Sequence, residues 1–163
     1  MSDTYDVQIT IDAETILSKY GKSNDPNNPI NVDPQYIYMV VAAPAAVSGN
    51  GGGELKFTAH TTDTIRWRET TPGVNYESII YGFQDNATLI STPQLFLSTV
   101  SVPVPNPTNP LEPTEQTVSD YFWNSVVLQP GELVYHFKFM VVDRKGGIQG
   151  YYQWDPFISI SQN

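Results

Sequence analysis

The sequence predicts an all-β fold with one short helix near the N-terminus. Apolar residues recur with a period of two along most of the chain. β-branched and aromatic residues crowd those runs, and Gly, Pro, Asn and Asp separate them. Many short strands of this kind read as an antiparallel β-sandwich. The 163 residues read as a single domain, 1–163, long enough to bury one core.

The first run sets Tyr5, Val7, Ile9 and Ile11 on one face and Asp6, Gln8 and Thr10 on the other, as in a half-buried strand. Asp12 can cap a helix whose apolar positions are Ala13, Ile16, Leu17 and Tyr20, with Gly21 as its stop. At about two turns, it is expected to cover one end of the sandwich. A loop rich in Asn, Asp and Pro follows at 21–35. Ile37, Met39 and Val41 continue in a run that is apolar on both faces. The glycine-rich stretch 48–53 reads as a flexible hairpin connection. Alternation resumes at Leu55, Phe57 and Ala59, then at Ile65 and Trp67, with Arg66 and Arg68 pointing the other way. Further strands are expected at 78–83, 94–102 and 118–128. Between the last two, 103–113 holds five of the 13 prolines and should be extended and largely free of ladder bonds. The clearest alternation is Leu133, Tyr135, Phe137, Phe139 and Val141. Strands at 148–154 and 157–160 close the chain, with a turn expected at Asp155-Pro156.

Charge narrows the function. Eight Lys and Arg stand against 17 Asp and Glu, giving a net charge of -9. That balance argues against nucleic acid and against anionic membranes, which need clustered basic side chains. Without cysteine there are no disulfides, thiolate metal sites or Cys nucleophiles. No apolar run reaches the ~20 residues of a membrane span, so no membrane insertion is expected. The acidic start does not resemble a signal peptide, which makes the cytoplasm the default location. Asn86-Ala87-Thr88 matches a glycosylation sequon, a triplet common by chance.

Catalysis finds no foothold. The two histidines, His60 and His136, read as structural residues, and no Gly-x-Ser-x-Gly turn is present. Gly49–Gly53 lacks the Lys-Ser/Thr ending of a phosphate loop. The chain is therefore read as a non-enzyme. Metal binding has one candidate. Asn24, Asp25, Asn27, Asn28, Asn31 and Asp33 offer oxygen ligands of the kind calcium takes, with Asp25 and Asp33 supplying the charge. The favoured reading of the same residues is Asx-turns between prolines, with calcium the alternative. Aromatic faces beside amides and carboxylates are also the materials of a sugar site. Asn24, Asn28 and Asn31 could bond hydroxyls, with Trp154 as ring platform and Asp155 as acceptor. For each tryptophan, core packing is the favoured reading and a ring platform the alternative.

An ordered set of segments resembles the AidA/PixA inclusion-body protein family of bacteria. The set begins with the first strand running into Asp12–Tyr20, followed by Asn24-Asp25-Pro26-Asn27-Asn28-Pro29. It continues through Tyr36–Val47 leading to Ser48-Gly49, then Ile79-Ile80-Tyr81-Gly82, and ends with Gly150–Pro156. The resemblance implies a small β-sandwich without known enzymatic activity. It also implies density-dependent or late-growth expression and cytoplasmic inclusions in host-associated bacteria. It carries over no catalytic residues. The main expectation is a lectin-like carbohydrate-binding protein for host interaction, with calcium as a candidate cofactor and release by a non-classical route. The alternative is a self-assembling inclusion-body protein with no small ligand. Either fits a homo-oligomer, because the edge strands of a sandwich need cover.

Overall fold

The computed structural model describes residues 2–85 and 88–161. The asparagine of the 86–88 triplet lies outside the described residues. Two sheets enclose the core. The first has five strands in the order β3-β1-β6-β9-β8. These are β1 (Thr4–Ile11), β3 (Ile37–Val40), β6 (Thr64–Thr70), β8 (Gln94–Val104) and β9 (Thr114–Val126). The second centres on β10 (Gly131–Asp143), with β7 (Tyr76–Asp85) along one edge. On the other edge lie β11 (Ile148–Trp154) and β12 (Phe157–Ser161). Short strands β2 (Ile30–Asn31), β4 (Ala46–Ser48) and β5 (Lys56–His60) complete it.

The period-two alternation of the sequence becomes the inside and outside of these sheets. Val7, Ile9 and Ile11 are buried, and so are Phe57, Ala59, Ile65 and Trp67. Along β10, Leu133, Tyr135, Phe137, Phe139 and Val141 are all buried. One buried hydrogen bond joins the sheets: Trp67 Nε1 donates to the Tyr135 hydroxyl at 2.9 Å. Burial pushes the Tyr135 hydroxyl far above its ordinary pKa, so it stays neutral there.

The helix forms where expected, as α1 (Ala13–Tyr20). Asp12 Oδ1 accepts from Thr15 N at 3.1 Å, and Gly21 ends the helix at φ 71°. Ala13 and Ile16 are its buried residues. The glycine-rich connection is tighter than a mobile loop. Met39 N donates to Gly52 O and Gly51 N to Met39 O, at 3.1 and 2.7 Å. A Cβ on Gly53 would lie 2.4 Å from Pro34 O, so that backbone approach requires glycine.

Two expectations change. The sheets are mixed rather than purely antiparallel: β1 runs parallel to β6, β2 to β11 and β5 to β12. Each parallel pair joins strands far apart in sequence, which local periodicity does not reveal. The run apolar on both faces buries one of them: Ile37, Met39 and Val41 are in the core, and Tyr38 and Val40 are exposed. Asp155-Pro156 does not turn the chain. Trp154 pairs with Phe137 and Phe157 with Val134, so β11 and β12 keep one register along β10. Tyr135 N still donates to Pro156 O at 3.3 Å across the interruption. The proline withholds an N–H from the ladder without changing the strand's direction.

Candidate functional site

The Asn/Asp loop is organised by its own turns and by contacts to α1 and β7. Asp25 Oδ1 accepts from Asn27 N at 2.9 Å, an Asx-turn. Asp33 forms an ion pair with Lys19 of α1, and its N–H donates to the Tyr20 hydroxyl at 2.9 Å. The hydrogen bond from Lys19 holds the Asp33 carboxyl below its usual range. The two carboxylates offered to calcium are thus engaged separately. Among the described residues no three His, Asp or Glu side chains gather as a metal-holding group. Asn24, Asp25 and Asn28 remain exposed on the loop.

Asn31 and Asp155 do come to a common face, the outer side of the second sheet. Gln153 Nε2 donates to Asn31 Oδ1 at 2.6 Å, and Asp155 sits 3.9 Å from His136 Nε2. Two tyrosines that the sequence reading did not single out stand nearby. Tyr81 and Tyr151 pack edge to face with centroids 5.6 Å apart. The Tyr81 hydroxyl donates to Pro26 O at 2.9 Å, tethering the loop to β7. Burial, with Tyr151 and Asp25 close by, pushes its pKa up to about 12. The alternation that placed Trp67 in the core also placed these tyrosines, but period alone does not say which face is solvent.

Trp154 does not serve as a platform. It is 7% exposed, and its Nε1 donates to Gly53 O at 2.8 Å inside the molecule. The opposing register of Phe137 explains this, because inward positions of β10 and β11 face each other across the ladder. His60 ends β5 beside the buried carboxylate of Asp63. It begins a tight turn in which buried Asp63 accepts from His60 N at 2.7 Å and from Asp3 N at 2.8 Å.

The most unusual surface lies in the first sheet. β8 and β9 pair over eleven residues each, from Gln94↔Asn124 to Val104↔Thr114. β6 covers β9 only at Ser125, Asn124 and their neighbours, 123–126. The rest of the hairpin extends as a two-stranded arm. Leu95, Phe96 and Leu97 on it are 47%, 44% and 77% exposed. Phe96 stacks on Phe122 at 5.6 Å and 11°. The guanidiniums of Arg66 and Arg68 lie 5.3 and 4.8 Å from the Phe122 ring centre. Asp6 receives both arginines, and Arg68 also reaches Asp120. Partial burial would raise the Asp6 pKa, but the bonds and charges of Arg66 and Arg68 outweigh it and hold it below the ordinary value.

On the arm's other face, the Tyr121 hydroxyl and Ile80 N both donate to Glu69 Oε1, at 3.1 and 2.8 Å. Glu69 Oε2 is buried with no hydrogen-bond partner among the described residues. Burial raises the Glu69 pKa, and burial together with the Glu69 charge raises that of Tyr121. A depression of about 280 Å³ lined by Leu97, Thr99, Ser119 and Tyr121 opens on the same hairpin. A second, of about 310 Å³, is bordered by Asp3, Tyr5 and Pro44. The signal for the arm was present in the sequence: no charged residue falls between Asp85 and Glu112.

A comparison with curated proteins gives no match. Among solved structures, the chain is similar to the crystal structure of the inclusion body protein PixA from Burkholderia cenocepacia J2315. The TM-score is 0.78 and the identity 19%, covering 98% of this chain and 97% of that one. At that identity the likeness bears on the fold. The family described as PixA, inclusion body protein, matches residues 3–160. The chain therefore belongs to the PixA inclusion body protein family.

Proposed function

We propose that this protein is a non-enzymatic, self-associating protein whose role is to accumulate, in the cytoplasm and as dense bodies, without a small ligand. The observation that carries the reading is the β8–β9 arm. It presents Leu95, Phe96 and Leu97 to solvent on an edge strand without a charged residue. Long uncharged edges of this kind are templates for association. Membership in a family described by its inclusion bodies supports the same reading. A net charge of -9 keeps copies apart near neutral pH and vanishes near the pI of 4.4. Light scattering at high protein concentration should therefore rise steadily as pH falls toward that value. A flat response would remove the mechanism.

A second reading, carbohydrate recognition in host interaction, draws on a different face. Tyr81 and Tyr151 offer ring faces beside Asn31, Gln153 and Asp155, which can bond hydroxyls. Release from the cell by a non-classical route would bring that face to host glycans. Calcium enters this reading only through the loop bearing Asp25 and Asp33, so a glycan array is run with and without it. Hits sharing one terminal sugar and lost in Tyr151→Ala would establish the reading. A blank array from folded protein would end it.

A further inference from the structure

We propose that two copies of this chain join edge to edge through β8, antiparallel about a two-fold axis, so that their five-stranded sheets merge into one. This inference rests on the self-association reading and assigns the contact within it.

The direction of the backbone groups comes first. Val127 N donates to Asp63 O and Thr62 N to Val127 O, at 2.8 and 2.9 Å, both toward the chain that enters β6. Ser91 N donates to Val126 O at 2.8 Å, toward the chain that enters β8. Backbone groups alternate sides along a strand, so odd-numbered β9 residues face β6 and even-numbered ones face β8. The unbroken β8–β9 register carries this parity across. Even-numbered β8 residues bond to β9, and odd-numbered ones face away. Pro103 agrees: it is odd-numbered, and with no N–H it fits where that side faces solvent. Leu95, Leu97, Thr99 and Ser101 thus aim their N–H and C=O groups outward, and Pro93 and Pro103 bracket them.

A second copy suits this edge for three reasons. Identical rows of donors and acceptors satisfy each other when they run antiparallel about a two-fold. The strip lies within the stretch between Asp85 and Glu112 that holds no charge, so two chains of net charge -9 meet there without opposed charged side chains on the contacting strands. A two-fold normal to the sheet also keeps faces matched. Leu95 and Leu97 of each copy meet on one side, and the Phe96–Phe122 stack meets its equivalent on the other. Alone, a two-stranded arm is marginal in water, and the partner supplies the missing strands.

Sedimentation velocity on the full chain at neutral pH, from micromolar to millimolar, tests this. Wild type is expected to dimerise. Leu97→Lys adds a charge at an exposed position, and Thr99→Pro removes an outward N–H while sparing the ladder to β9. Each should weaken the dimer at least about tenfold, with the circular dichroism of the monomer unchanged. Leu111→Lys, at a position 91% exposed between the two strands, should dimerise as wild type does. If both edge variants dimerise normally, the β8 contact is wrong and the self-association reading survives. Loss of dimer in Leu111→Lys as well would overturn the β8 assignment. A wild type that stays monomeric throughout would overturn both, unless scattering still rises toward the pI, which would overturn the β8 contact alone.

Discussion

β10 and β8 are both long, both rich in β-branched and aromatic residues, and both alternating, yet they have opposite fates. β10 pairs along both edges, and its inward residues from Leu133 to Val141 are buried. β8 pairs along one edge only, and no residue from Gln94 to Val104 is buried. The difference is one of neighbours rather than of propensity. β10 has β7 on one side and β11 with β12 on the other, under a facing sheet. β8 overhangs with only β9 beside it. Strand propensity therefore says that a segment will be extended, while the supply of partners decides whether its apolar face is core or interface.

The largest effect expected from breaking this contrast is in β10. Phe137→Ala removes a fully buried ring and should lower the unfolding free energy by about 3–5 kcal/mol. Leu97→Ala, at an exposed position of an equally alternating strand, should change it by less than about 0.5 kcal/mol in the monomer. Urea titrations of both variants at low concentration read the difference directly. Comparable losses would mean that β8 is packed in solution.

A smaller effect belongs to the bond that crosses the core. Tyr135→Phe leaves the Trp67 N–H buried without its acceptor and should destabilise by about 1–3 kcal/mol. No change would indicate that the indole finds another acceptor, and its fluorescence should then shift.

The smallest effect lies where the two regions meet. Glu69 on β6 holds Ile80 of β7 and Tyr121 of the arm at once. Burial raises its folded pKa above the ordinary value of 4.5. The folded state then binds the proton more tightly than the unfolded one. The associated stability is full below the unfolded pKa and is lost as pH rises through the folded pKa. Glu69→Gln should be slightly more stable than wild type at neutral pH, and that gain should fade as pH falls through the raised folded pKa and be gone below about 4.5. Thermal melts across that window check it. A gain that persists at low pH would mean that something other than the buried charge is responsible.

Much of the fold was legible because burial leaves a period in the sequence. Val7, Ile9 and Ile11, or Phe137, Phe139 and Val141, announce their strands and their inward faces. Asp12 and Gly21 announce the ends of α1 through local hydrogen bonds, which spacing alone dictates. The parallel pairs were not legible, because Tyr5 beside Ile65 joins positions sixty apart along the chain. Asp155-Pro156 misled for a related reason. Proline signals a turn locally, but the ladder to β10 held the chain straight. The sugar and calcium candidates scattered in the same way. Asn31 and Asp155 share a face, Asp33 belongs to Lys19, and Trp154 belongs to the core. The uncharged stretch that ends in the β8–β9 arm was visible throughout, but lack of charge is as typical of a core strand as of an interface.

Amide hydrogen exchange along β8, followed at low and at high protein concentration, tests the central claim most directly. The amides of Phe96, Ser98, Val100 and Val102 should be protected at both concentrations, because they bond to β9. Those of Leu95, Leu97 and Thr99 should exchange freely when dilute and become protected as concentration rises. Exchange at these outward amides that does not depend on concentration would contradict the account, because the β8 edge would then have no partner in a second copy.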